Sequence, residues 1–348
     1  MNPFAKALAV AVPAGALLAA MNAPLPWTIG PLLGCAIANL AGAGMSTPVA
    51  ARNFGQWMIG SVLGLYFAPA VVERVVTFAP WILLGIGWAI CLGLMFAWTL
   101  RRFAGASRAT AFYAGAVGGA TEMSVQGERA GGRVDQIAAT HSLRIMIVVI
   151  TLPMAYRLLG LHGTDPYEMP ARVVHWDGLA MLVAATVAMA LAWRAVSWPN
   201  AWLLGPLAVT LGLTATGHEW SALPQWLVVA GQVAIGASLG CRFTPAFFAQ
   251  APRFVAVVIA MTFAGIAASA CFAVMLAHLA GVPVATMVLA TSPGGVAEMA
   301  LTAKTLQLGV PVVTAFHVTR SVTMMTALGV VYRLLGRVRG WPRGETTG

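Results

Sequence analysis

The sequence predicts an all-α integral membrane protein made of two inverted repeats, each with five transmembrane helices and one broken or re-entrant element. Three observations lead to this fold class. The chain is 59% apolar and only 9% charged, with a mean hydropathy of +0.83, and such values are typical of membrane proteins. Its two halves share motifs at a constant offset. Its positive charges collect on one side of the membrane only if each half crosses an odd number of times.

A shift of 176 residues aligns the two halves. It places residues 55–64 over 231–240, and residues 118–123 over 294–299. The repeat keeps glycines, prolines and charged residues while ordinary apolar positions vary, as expected when backbone geometry and a polar site are retained. We therefore predict one intertwined membrane domain, in which residues 1–170 are the first repeat and residues 171–348 are the second.

Each half contains six apolar segments. The segment Thr77–Leu100, for example, has 24 residues without a charge, enough to cross a hydrocarbon core of about 30 Å. The first half has its segments near residues 4–20, 24–42, 53–69, 77–100, 108–127 and 136–156. The second half has them near residues 177–195, 200–217, 224–242, 254–277, 284–303 and 310–332.

The fifth segment of each half has an unusual composition. Residues 110–127 and 286–303 are rich in Gly, Ala, Ser and Thr, and each holds a central Gly-Gly pair and a glutamate. Such residues suit a broken or re-entrant element, which is tolerated at membrane depth where protein or a cavity surrounds it. The paired glycines are Gly118 with Gly119, and Gly294 with Gly295.

Positive charges favour the re-entrant interpretation. Arg144 and Arg320 lie inside predicted helices, which leaves 18 Lys and Arg residues to count. If all twelve segments cross and the N-terminus is inside, 11 of these lie inside and 7 outside. If both fifth segments are re-entrant, 14 lie inside and 4 outside, in better agreement with the positive-inside rule. Five crossings per half invert the second repeat, with both termini cytoplasmic, in a bacterial-type inner membrane.

Glu122 and Glu298 are the first candidate site residues. Each follows its Gly-Gly pair by three residues, in the first turn of the predicted second half-helix, where the helix dipole favours a carboxylate. One interpretation is a cap that satisfies exposed amides. The other is a protonatable or cation-binding group that faces a cavity, because carboxylates at membrane depth are costly and mostly functional.

Two His–Arg pairs complete the candidate substrate- or ion-binding set. His141 with Arg144, and His317 with Arg320, are three residues apart, so each pair lies on one helix face. An arginine cannot shed its charge, so each is expected to meet an anion, either a glutamate or a bound ligand. A permanent Glu–Arg lock and a substrate site with a proton-tuning histidine are both compatible with this pattern.

Two glycine motifs predict close helix packing. They are Gly60-x-x-x-Gly64 and Gly236-x-x-x-Gly240, a spacing that lets helix backbones approach each other. Arg242 lies near a predicted cytoplasmic end and is interpreted as a side chain that reaches back to the interface.

The repeated motifs resemble the duplicated AbrB membrane protein family. With a shift of 175, the Trp-x-x-Gly-Pro-Leu stretch at 27–32 recurs at 202–207. The Gly-Gln-x-x-Ile-Gly-x-x-Leu-Gly stretch at 55–64 recurs at 231–240, and the Gly-Gly-x-x-Glu-Met stretch at 118–123 recurs at 294–299. The resemblance covers about residues 5–335. Members carry the labels "AbrB family transcriptional regulator" and "ammonia monooxygenase", so the resemblance implies regulation of gene expression or an oxygenase.

The residues favour neither label. The chain has no soluble basic module for nucleic acid, and its six histidines are dispersed instead of forming a metal-ligand cluster. We expect no enzyme activity, cofactor or metal. The leading hypothesis is a secondary transporter or exporter of a small, anionic metabolite coupled to H⁺ or Na⁺. The alternative is a membrane-embedded regulator that senses a ligand without transport. The expected partners are the lipid bilayer and a small-molecule or ion substrate, and a homodimer is compatible with the sequence.

Overall fold

Helices make up all the regular secondary structure in the described part of the computed structural model, which covers residues 2–163, 173–198, 200–245 and 252–335. The predicted repeat boundary at residue 170 and the C-terminal end lie outside these residues. The helices of the first half are α1 (Pro3–Ala20), α2 (Pro26–Leu40), α3 (Val49–Gly64), α4 (Pro69–Thr77), α5 (Ala79–Ala104), α6 (Arg108–Gly115), α7 (Ala120–Arg129) and α8 (Val134–Leu158). Those of the second half are α9 (Trp176–Ala195), α10 (Ala201–Ala215), α11 (Gln225–Gly240), α12 (Pro252–Ala280), α13 (Val284–Thr291), α14 (Val296–Thr305) and α15 (Val310–Leu335).

Both fifth segments are broken at their glycine pairs, as the sequence predicts. Residues 116–119 separate α6 from α7, and residues 292–295 separate α13 from α14. A feature that the sequence did not predict is α4, a short helix that is bent by 92° from α3. Pro69 begins this helix, and proline suits a first helical position because its fixed φ is already helical and its missing N–H has no partner there.

Five of these helices are long and apolar enough to cross a membrane: α1, α5, α8, α9 and α12. The count rises to six if α3 and α4 form one bent span. Large apolar side chains are exposed on these helices, among them Leu17, Leu83 and Trp98. An exposed apolar surface of this extent is suited to contact with lipid. The ten crossings expected from the sequence remain a prediction, since α10 and α11 have only 15 and 16 residues.

The chain divides into two compact units, and each draws on both halves of the sequence. Unit 1 contains Met1–Ala79, Val149–Phe247 and Val296–Ala315. Unit 2 contains Pro80–Val148, Phe248–Gly295 and Phe316–Gly348. Both broken elements begin in unit 2, because α6, α7 and α13 belong to it, whereas α14 belongs to unit 1.

Helices of the two repeats exchange equivalent contacts within unit 1. A Cβ at Gly60 of α3 would collide with the Leu203 carbonyl of α10, and a Cβ at Gly236 of α11 would collide with the Thr28 carbonyl of α2. Gly64 and Gly240 meet α10 and α2 one turn further along. The close approach predicted from both glycine motifs is therefore confirmed.

These contacts fix the direction of α11 relative to α2. Gly236 meets Thr28 and Gly240 meets Leu32, so the two helices run parallel. The chain reverses between α2 and α3, because α3 runs opposite to α11, with Gly55 against Ile235 and Met58 against Gly231. In this reversal the Asn39 side chain accepts a hydrogen bond from the Met45 amide at 2.7 Å and donates one to the Met45 carbonyl at 3.0 Å. The same amide group donates to the Cys241 carbonyl at 2.8 Å, which ties this reversal to the end of α11.

In unit 2, α5 and α12 pack side by side in opposite directions. Trp88 of α5 donates a hydrogen bond to Ser269 Oγ at 3.1 Å and stacks on Phe272 with 4.7 Å between ring centroids. Further along α5, Phe96 lies against Gly265, an earlier residue of α12. These helices occupy equivalent positions in the two repeats, so equivalent helices run antiparallel here.

Candidate functional site

The first break is held by the His–Arg pair of α8. His141 Nε2 lies 2.9 Å from the Tyr113 carbonyl in the last turn of α6. Arg144 donates from Nη2 to the Ala116 carbonyl at 2.9 Å, and from Nη1 to the carbonyls of Ala114 and Gly115 at 3.4 and 3.3 Å. Both side chains are fully buried. The pair therefore satisfies carbonyl groups that the end of a helix leaves without partners.

These contacts determine the tautomer of His141. Because Nε2 faces a carbonyl oxygen, it must carry the proton, and Nδ1 is left as an acceptor. Arg144 Nη2 lies 3.0 Å from this Nδ1 and donates to it. The ring therefore bridges the guanidinium and the carbonyl at the end of α6.

The second break has the same construction. His317 Nε2 lies 2.8 Å from the Leu289 carbonyl of α13. Arg320 donates from Nη1 to the Ser292 carbonyl at 2.8 Å and from Nη2 to the Gly294 carbonyl at 2.6 Å. Leu289 and Ser292 are the repeat equivalents of Tyr113 and Ala116. Both repeats thus have a contact between the sixth segment, α8 or α15, and the carbonyl end of the first half-helix of the fifth segment, α6 or α13.

The two breaks differ in one respect. In the described part of the chain, His317 Nδ1 and Arg320 Nε are buried without hydrogen-bond partners. The guanidinium of Arg320 reaches two residues further along the repeat than that of Arg144, to Gly294, and does not bond to the imidazole of His317. Among the described residues of the first break, Arg144 Nε is buried without a hydrogen-bond partner. The second break therefore has spare hydrogen-bonding capacity.

At each break an arginine lies against the carbonyl end of a half-helix. Neither Arg144 nor Arg320 forms an ion pair within the described residues, and the salt bridge that joins Arg133 to Asp135 at 2.8 Å lies on the surface. The carbonyl end of a helix supplies only about half an elementary negative charge, whereas a guanidinium carries a full positive charge. The sequence predicts an anion at each arginine, either a glutamate or a bound ligand. In the structure, helix carbonyls occupy the place of the expected glutamate.

Glu122 is the third residue of α7, after the N-cap Gly119. Its carboxylate folds back over that glycine, since a Cβ at Gly119 would overlap with Oε2. A glutamate that reaches back to the N-cap in this way satisfies exposed amides at a helix start. The capping interpretation is thus compatible with the geometry, and the carboxylate remains half-buried at the break.

Glu298 has the equivalent position in α14, within unit 1. Arg52 of α3 and Arg242, which follows α11, are close enough to act on its carboxylate electrostatically. Sequence reasoning missed both arginines, because their repeat equivalents are Val228 and Tyr66. The interpretation of Arg242 as a side chain that only reaches the interface omitted this charge partner.

Comparison with known proteins identifies the family of the chain. The model of a family described as "Transition state regulatory protein AbrB" matches residues 27–336. The chain belongs to the AbrB family. It is 27% identical to "Uncharacterized protein YhjN" of Bacillus subtilis (strain 168), over 96% of this chain and 93% of that protein. It is 22% identical to "Putative regulator AbrB" of Escherichia coli (strain K12), over 82% of each. No solved structure matches the chain.

The AbrB family and the apolar helices together identify a membrane-embedded protein. Among its described residues, no group of three or more His, Cys, Asp and Glu side chains could hold a metal ion. The candidate binding residues of this AbrB-family chain are those that the sequence predicts at the two breaks. Their geometry is defined, and their role in binding is a proposal. The residues are Gly118, Gly119, Glu122, His141, Arg144, Gly294, Gly295, Glu298, His317 and Arg320.

Proposed function

We propose that the chain is a secondary transporter that moves a small anionic metabolite across the bacterial inner membrane, coupled to H⁺ or Na⁺. The observation that carries this proposal is the pair of broken elements, each with a buried arginine whose charge the helix end only partly offsets. Buried ionisable residues at membrane depth mark substrate and ion pathways. Half-helix ends provide such sites in transporters whose helices are broken near the bilayer midplane.

The proposed architecture is an inverted repeat with both termini in the cytoplasm. The antiparallel packing of α5 on its repeat equivalent α12 supports it. A second support is that α11 runs opposite to α3, its own repeat equivalent, because Gly55 lies against Ile235 and Met58 lies against Gly231. Parallel repeats would require α3 and α11 to run in the same direction.

The second break is the better place for the substrate. Arg320 uses two of its five N–H donors on carbonyls, and the neighbouring His317 Nδ1 is an unused acceptor. An anionic oxygen can accept from Arg320 while an adjacent hydroxyl donates to His317. This pattern suits a carboxylate with a neighbouring hydroxyl group better than a simple carboxylate.

The glutamates would provide the coupling. Each lies in the first turn of the half-helix that follows a break, where it can take up a proton or a Na⁺ as the substrate moves. Proteoliposomes with an imposed pH or Na⁺ gradient, given a panel of hydroxycarboxylates and the matching carboxylates without hydroxyl, test the proposal. We expect accumulation that depends on the gradient and prefers hydroxylated substrates. Binding without accumulation would instead indicate a ligand sensor.

A comparison of Arg320→Lys with Arg144→Lys distinguishes a substrate-binding arginine from one that only caps a helix. Lysine keeps the charge but loses the planar fork that two acceptors share. We expect Arg320→Lys to raise the KM for uptake more than Arg144→Lys, with similar losses of thermal stability. If the two variants raise KM equally or not at all, Arg320 is a cap and the substrate assignment is wrong.

A further inference from the structure

A groove of about 530 Å³ runs along α5 and α12 in unit 2. Its lining is apolar apart from Thr99 and Arg253, and the Thr99 hydroxyl donates within its own helix to the Met95 carbonyl at 2.9 Å. The groove is open, since its lining residues Met95 and Phe103 are 48% and 45% exposed. An exposed channel without polar recognition groups is unsuited to a polar metabolite.

The groove has the length of one membrane leaflet. On α5 its lining extends from Leu92 to Phe103, which is about 16 Å at the helical rise per residue. The hydrocarbon core is about 30 Å thick, so one leaflet contributes about 15 Å. An acyl chain lying along α5 would therefore fill the groove without extending into the other leaflet.

One end of the groove is positively charged. Because α5 and α12 are antiparallel, the last turn of α5 and the first turn of α12 meet there. Arg253 lines this end, and Arg102 lies 5.7 Å from the centre of the Phe103 ring, which also lines it. Arg253 is the second residue of α12, so the positive end of that helix dipole adds to the two charges.

We propose that this groove binds one acyl chain of an anionic phospholipid, with the lipid phosphate held by Arg253 and Arg102. Basic pockets between transmembrane helices provide this kind of headgroup recognition. The site consists of residues that the transport proposal does not use, so either proposal can fail without the other.

Native mass spectrometry of the full chain can test the site. The protein is reconstituted in vesicles of phosphatidylcholine mixed with phosphatidylglycerol, extracted in mild detergent, and the retained lipid is identified. We expect retained phosphatidylglycerol in preference to phosphatidylcholine. Each arginine should contribute about fivefold to that preference. Arg102→Gln and Arg253→Gln should each reduce it by this factor, whereas Arg194→Gln, at the exposed end of α9 in unit 1, should leave it unchanged.

A second variant tests the acyl chain. Ala260→Trp places a large ring in the groove and should reduce retention of both lipids. Equal retention of the two lipids by the unmodified chain would overturn the proposal, as would an unchanged preference in both arginine variants. If Ala260→Trp fails to fold, the arginine variants still decide the headgroup site. A groove occupied by a second copy of the chain would give dimers in the mass spectrum without retained lipid, which also overturns it.

Discussion

The glycines that join helices of the two repeats give a stability prediction with a defined size. A Cβ at Gly60 or Gly236 would overlap with a backbone carbonyl of the neighbouring helix, at Leu203 or Thr28 respectively. Backbone cannot move aside as a flexible side chain can, so the upper part of the usual overpacking cost, about 1–3 kcal/mol, applies. Alanine recovers about 0.5–1 kcal/mol by its better helix propensity. We expect Gly60→Ala and Gly236→Ala each to destabilise the protein by about 2 kcal/mol.

Thermal unfolding in detergent micelles, followed by tryptophan fluorescence, measures this effect. Matched controls are Gly87→Ala in α5 and Gly212→Ala in α10, where a new Cβ would meet nothing within 4 Å. These controls should be neutral or stabilising by about 0.5–1 kcal/mol. If Gly60→Ala unfolds at the same temperature as Gly212→Ala, the contact between α3 and α10 is not as close as described. The helix directions inferred from such glycine contacts would then lose their support.

Three further outcomes follow from the site. Glu122→Gln and Glu298→Gln should abolish gradient-driven uptake while the protein still folds and inserts, because the amide keeps size and hydrogen bonding but cannot ionise; wild-type rates in both would make the glutamates structural. Arg144→Met should lower the unfolding temperature, because buried carbonyls lose charge-assisted hydrogen bonds that contribute about 1.5–3 kcal/mol each; an unchanged temperature would contradict the capping geometry. Arg133→Gln should change stability by less than about 1 kcal/mol, because its salt bridge to Asp135 is exposed to solvent; a larger loss in the same melt would contradict this.

The breaks could be predicted from the sequence because glycine pairs interrupt helices for local reasons. Gly118 with Gly119, and Gly294 with Gly295, fall at or beside the ends of the half-helices, and the repeat shows each pattern twice. The glycine motifs around Gly60 and Gly236 were informative for the same reason, since a missing side chain in an apolar helix indicates close packing.

The partners of the buried arginines could not be predicted, because every residue has a backbone carbonyl and the sequence does not show which of them accept hydrogen bonds from side chains. Arg144 and Arg320 were expected to meet a carboxylate or a ligand, yet their hydrogen bonds end on carbonyls about 28 residues earlier in the chain. The charges near Glu298 were missed for a different reason. Arg52 and Arg242 have no charged equivalents in the other repeat, so a comparison of the two halves does not identify them as site residues.

The helix α4 was missed because it is short and has charged residues at its centre. It carries Glu73 among apolar residues and begins at a proline, and its nine residues are too few for a clear helical pattern of apolar residues. Bent by 92° from α3, it marks a change of direction that apolar segments alone do not predict.

Counterflow in proteoliposomes tests most directly whether the two breaks carry a substrate across the membrane. Vesicles are loaded with the unlabelled hydroxycarboxylate that the uptake panel identifies, and the labelled compound is added outside. A carrier predicts transient accumulation of label above its equilibrium level, because the returning site exchanges internal for external substrate, and it predicts loss of that overshoot in Arg320→Lys. Label that binds to the protein and never exceeds its equilibrium level inside the vesicles would contradict transport and leave the breaks as a ligand-sensing site.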